Sequence, residues 1–98
     1  MKIFLDDRRA APNGYHEFTG YEKCVFFLDK ARDIDVISLD YDLGSLHTGY
    51  DVLVYMQKNN INPARINIHS SHSFGIIKME SFAKLHFPAS QITIGHDY

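Results

Sequence analysis

The sequence predicts an α/β domain whose strands lie parallel in one sheet. Two patterns predict it. Short apolar stretches alternate with longer segments whose apolar residues recur at helical spacing, as strand–helix–strand units do. Two of those stretches, Lys2-Ile3-Phe4-Leu5 and Val36-Ile37-Ser38-Leu39, run straight into acids, Asp6-Asp7 and Asp40-Tyr41-Asp42. Neighbouring parallel strands would deliver these carboxylates to one edge, where open α/β sheets place their ligands.

The elements follow in order. Lys2 to Leu5 is the first strand. Pro12 and Asn13-Gly14 mark a turn within residues 8–14, and Tyr15 to Phe18 is a short strand. Thr19 with Glu22 has the spacing of a capping box, and Cys24, Phe27, Leu28 and Ala31 supply a buried helical stripe behind it. Asp35 to Leu39 is the next strand, and Asp40 to His47 is a loop. Thr48 and Asp51 cap a second helix, running to about Asn59, with Val52, Leu53 and Met56 facing inward. Asn59-Asn60 and Pro63 end it. Ile66 to His69 is a strand. Ser73 caps a third helix with Ile76, Met79, Phe82 and Ala83 on its inner stripe, and Pro88 closes that region. Gln91 to Ile94 is the last strand.

With four to five strands in the order 2-1-3-4-5, the three helical crossovers all step in one direction. Right-handed crossovers then put all three helices on the same face. The last two strands agree with a thinly covered second face, because Ile66 and Ile68 alternate with Asn67 and His69, and Ile92 and Ile94 with Gln91 and Thr93. The 8–15 loop or a second copy of the chain would cover that face, so a homodimer through it is expected.

At 98 residues the chain is one domain, with a formal net charge of -2 and no basic run beyond Arg8-Arg9. That balance argues against duplex DNA and membrane surfaces as partners. The single cysteine, Cys24, forms no internal disulfide and suits the cytoplasm. No apolar run is long enough to span a bilayer.

Carboxylates a few ångströms apart repel, and such clusters persist around a cation or a shared proton. Asp6, Asp7 and Asp40 are therefore candidate ligands of a hard divalent ion, Mg2+ first among them. Asp42 offers either its backbone carbonyl to that ion or its side chain to the loop. Asp40 is also a candidate nucleophile toward phosphorus. Ser70 and Ser71, with the helix N-terminus reaching Gly75, form a candidate phosphate cradle. Arg9, beside Arg8, is a candidate phosphate clamp. His69 is either a general acid or base or a half-buried polar residue beside Asn67. The other histidines have no metal-ligand spacing with Cys24.

In its order of strand, acid pair, strand, acid and strand-terminal serine, the chain resembles the receiver domain of response regulators, a flavodoxin-like fold. The resemblance implies Mg2+ held by Asp6, Asp7 and Asp40, with Asp40 as phosphoryl acceptor and Ser70 touching the phosphoryl group. The first crossover helix and the final helix of receivers are missing here, and Gly95-His96 stand where receivers carry a lysine. A divergent branch is closer, the cyclic-phosphate processing receiver domain. Asp6, Asp7, Arg9, Pro12, Gly14 and Tyr15 fit its opening motif. Ser38 to Gly44, Thr48 to Val52, and His69, Ser70, Gly75 and Met79 fit the later ones. That resemblance implies a phosphorylated small molecule or RNA end, a cyclic phosphate in particular, as partner. A phosphorylated receiver and a catalytically silent interaction module are the alternatives.

Overall fold

Four-residue strands rich in β-branched and aliphatic residues, separated by amphipathic segments, fold in the computed structural model, which describes residues 1–98, as their spacing predicts. The order is β1 (Lys2–Leu5), β2 (Tyr15–Phe18), α1 (Tyr21–Leu28), β3 (Val36–Leu39), α2 (Gly49–Lys58), β4 (Arg65–Ile68), α3 (Ser73–His86) and β5 (Gln91–Ile94). The five strands form one sheet in the order β2-β1-β3-β4-β5, every pair parallel. Tyr15 to Phe18 does pair parallel with β1, although only a loop joins the two.

Register decides which residues share a face. Ile3, Ile37 and Ile66 are aligned, as are Leu5, Leu39 and Ile68. Together with Cys24, Leu28, Val52, Leu53, Met56, Met79 and Ala83 of the helices they belong to one core of 16 buried residues. All three helices thus cover one face. Burial pushes the Cys24 thiol up to about 12, so it packs as a small apolar group and has no thiolate chemistry.

Two helix starts differ from expectation. Gly20 is the N-cap of α1, and no side chain caps it, so the predicted Thr19–Glu22 box does not form. In α3 the cap is His72, whose Nδ1 accepts from the Gly75 N–H at 3.0 Å, and Ser73 is already helical. An unprotonated ring nitrogen does what a serine oxygen would. The Thr48–Asp51 box of α2 is present, with Asp51 accepting from the Thr48 N–H at 2.8 Å.

The second face departs most from its sequence pattern. β4 ends at Ile68, one residue short of expectation, and is not half-buried: Asn67 is 2 % exposed and His69, just past its end, 1 %. The cover comes from the chain's own residues 95–98. The Tyr98 ring stands edge-on to Phe4 and to His69, each 5.0 Å away centre to centre. Arg65 donates to the Tyr98 carbonyl at 2.7 Å, and the Tyr15 hydroxyl donates to the same oxygen. Neither the 8–15 loop alone nor a second copy is needed as a roof.

Candidate metal and phosphate site

Because Leu5, Leu39 and Ile68 are in register, the residues that follow them emerge level at one edge of the sheet. There a cleft of about 340 Å³ is lined by Asp6, Asp7, Arg8, Arg9, Asp40, Asp42, Ser70, Ser71 and His72, with no hydrophobic residue among them. Such a lining suits a charged, hydrated ligand and offers nothing to an apolar one.

One carboxylate oxygen from each of Asp6, Asp7 and Asp40 lies within 4.8 Å of the others. Two full charges at that separation, with near-surface screening, repel by roughly 3 kcal/mol. Asp40 records the repulsion: burial and then the Asp6 charge push its carboxyl above the usual range, while the nearby Ser70 hydroxyl and a hydrogen bond from the Tyr41 N–H oppose the shift. Three hard oxygen donors under mutual repulsion fit a divalent cation such as Mg2+.

Asp6 is 2 % exposed, and its oxygens are nearly spoken for. Oδ1 accepts from the N–H groups of Arg8 at 2.8 Å and Arg9 at 2.9 Å. Oδ2 accepts from His69 Nε2 at 3.1 Å. A carboxylate has about four lone-pair directions, so roughly one is left for an ion. The main chain around Asp40 is held by close approach. A Cβ at Gly49 would sit 2.0 Å from the Asp40 carbonyl oxygen, so only glycine lets α2 begin there. The Ser70 hydroxyl accepts from the His72 N–H at 3.1 Å and lines the same cleft as Asp40.

A family model for the cyclic-phosphate processing receiver domain matches residues 1–84. The chain belongs to that family. Comparison with curated proteins and with solved structures returns no match.

The family's acid positions and its serine meet in the cleft, as do Arg9, Ser71 and Asp42. Asp42 is not one of the three clustered carboxylates: its side chain accepts from the Gly44 N–H at 2.9 Å and closes the loop. Gly75 is corrected more fully. Its N–H is taken by His72, and a Cβ there would lie 2.3 Å from the Tyr41 ring, so it is a packing point behind the cleft.

His69 also stands behind the cleft. It is buried, stacked on Phe4 at 4.5 Å, and hydrogen-bonded to Asp6 and, through Nδ1 at 2.7 Å, to Ser38 Oγ. Burial lowers its pKa to about 4 against the opposing pull of Asp6, so the ring is neutral near pH 7. Sequence reasoning placed Asn67 and Thr93 on a half-buried face and missed Tyr98. The signal that pointed to the first two was a row of polar residues at alternate strand positions, Ser38, Asn67 and Thr93, which the register aligns.

Proposed function

We propose that this domain binds Mg2+ through Asp6, Asp7 and Asp40 and processes phosphate esters, cyclic phosphates of nucleotides or RNA ends foremost. The observation that carries the reading is the convergence of three carboxylates, within 4.8 Å, on a cleft that also holds Arg8, Arg9, Ser70 and Ser71. Opposite charges side by side in one polar cleft suit a ligand that is itself an anion bridged to a cation. When bound, the ion would screen phosphate charge and lower the pKa of coordinated water.

The chain's own groups have separate tasks. Arg8 and Arg9 balance phosphoryl charge, and Ser70 and Ser71 offer hydroxyl hydrogen bonds. Asp40, whose proton affinity burial and the Asp6 charge raise, would be held ionised by the cation it helps to bind. His69 reaches the cleft only through Asp6, so its task is to hold that carboxylate. The cleft takes the phosphate end of the substrate, since it has no apolar wall for a base. No helix is long and apolar enough to cross a membrane. A lone free thiol fits a reducing compartment.

The test is turnover of cyclic nucleotides and of RNA ending in a 2′,3′-cyclic phosphate, with and without Mg2+. Mg2+-dependent hydrolysis is expected, falling about a hundredfold or more in Asp40→Asn. No turnover with any substrate removes the enzymatic reading. A second reading is favoured by Ser70 and Asp40 lining the same cleft, namely that Asp40 accepts a phosphoryl group. Beryllofluoride with Mg2+ would then perturb the Asp40 surroundings in the NMR spectrum, and an unchanged spectrum counts against it.

A further inference from the structure

A continuous line of hydrogen bonds crosses the roofed face of the sheet and ends on Asp6. Arg65 Nη1 donates to Thr93 Oγ1 at 3.0 Å, and Thr93 Oγ1 donates to Asn67 Oδ1 at 2.7 Å. Asn67 Nδ2 donates to Ser38 Oγ at 3.0 Å. Ser38 Oγ meets His69 Nδ1 at 2.7 Å, and His69 Nε2 meets Asp6 Oδ2 at 3.1 Å. Four of these residues sit on β3, β4 and β5, His69 and Asp6 follow the ends of β4 and β1, and no buried side-chain nitrogen or oxygen in the chain lacks a partner.

Chemistry at the two ends gives this line one direction. A guanidinium can only donate, and an ionised carboxylate can only accept. Asn67 cannot be turned over, because its nitrogen also donates to the Gly95 carbonyl at 3.0 Å, and a flipped amide would set oxygen against oxygen. Ser38 Oγ therefore receives from Asn67 and gives its proton to His69 Nδ1. Ser38 is fully buried and its hydroxyl meets no other acceptor, so Nδ1 carries no proton and the ring holds its proton on Nε2, aimed at Asp6. Hydrogen bonds in such a chain polarise one another toward the acceptor.

We propose that Ser38 and Asn67 are positioning residues, locking His69 as its Nε2–H tautomer so that Asp6 keeps one oxygen direction, and only one, for the acidic cluster. Two Asp6 directions go to the Arg8 and Arg9 amides and a third to His69. What remains is a single-oxygen ligand that cannot rotate. Partners of this kind behind a metal ligand typically change ion affinity ten- to hundredfold, about the range expected here. The inference rests on the metal-binding part of the proposed function but has its own readout.

The experiment compares the full chain with Ser38→Ala, Thr93→Val and Ser38→Thr. The ¹⁵N shifts of the His69 ring report its tautomer, and an NMR titration with Mg2+ reports affinity. Ser38→Ala should mix the two tautomers and weaken Mg2+ about tenfold or more. Thr93→Val breaks the line two links further away, at a partly exposed position with little change of shape, and should give a smaller shift in the same sense. Ser38→Thr keeps the hydroxyl and should restore the wild-type ring signals. A hydroxyl with a purely structural task would lower the melting temperature and leave both tautomer and affinity alone; that result in Ser38→Ala and Thr93→Val overturns the proposal. If the wild-type chain binds no Mg2+, the functional reading fails, while the tautomer in Ser38→Ala still decides the lock.

Discussion

On the helix-covered face, β1, β3 and β4 present Ile3, Leu5, Ile37, Leu39, Ile66 and Ile68, all fully buried. On the opposite face the same strands present Phe4, Ser38 and Asn67, followed past their ends by Asp6, Asp40 and His69. Aliphatic contact has no direction and scales with area, so the first face supplies stability without aiming anything. Hydrogen bonds have direction, so the second face, where Ser38 and Asn67 lie buried among Phe4 and Val36, can aim Asp6. The domain separates the two tasks across the thickness of one sheet. Each of the following changes presses on that separation.

Leu39→Ala should have the largest effect. Leu39 is wholly buried among core residues of the helical face, and its truncation should cost about 3–5 kcal/mol, seen as a lower denaturation midpoint. The variant that still folds should bind Mg2+ as the wild type does. A weakened ion in a folded Leu39→Ala would mean that the apolar face also sets the site.

Acid is the next lever, and it acts on the other face. His69 has a folded pKa of about 4 against an ordinary 6.5. Between those values the unfolded chain binds a proton that the folded chain refuses, so stability falls as pH drops from about 6.5 toward 4 and then levels. The loss amounts to roughly 3 kcal/mol. Asp40 works with the opposite sign. Its folded pKa is raised, so it contributes stability that is present below the ordinary 3.8 and lost as pH rises through the folded value. Denaturant melts across pH 4–7 in an Asp40→Asn background isolate the histidine, and adding His69→Gln should flatten its slope. An unchanged slope would show that the roofed face does not keep His69 neutral.

The helical face was legible in the sequence because period-2 and period-3.6 apolar patterns leave few alternatives once handedness is imposed. The acid convergence was legible for the same reason: strand-end residues in register must meet. Polar residues in a strand carry no such signal. Asn67 and His69 read as a solvated face because the pattern of β4 does not say what lies over it, and the cover, Tyr98, stands 31 residues beyond Asn67 and outside the family's matched span of 1–84. Helix starts failed on a finer scale. Thr19 has the right partner at the right spacing, yet the cap falls one residue later, on Gly20, and His72 took the cap assigned to Ser73 because its ring nitrogen reaches the Gly75 N–H first.

Tyr98→Phe is the gentlest change and the sharpest test of what roofs the second face. The ring contributes edge contacts to Phe4 and His69, while the hydroxyl takes a hydrogen bond from Arg9 at 3.2 Å and meets His96 Nδ1 at 3.4 Å, both at exposed positions. Removing the hydroxyl should lower stability by no more than about 0.5–1 kcal/mol, since a solvent-exposed hydrogen bond is largely replaced by water. Removing the ring in Tyr98→Ala should cost more and let water reach Asn67 and His69, seen as faster hydrogen exchange at the amides of β4. If both variants lose stability equally, the tie to Arg9 rather than the aromatic cover holds the tail down, and the second face would owe its burial to the same cleft that it is built to serve.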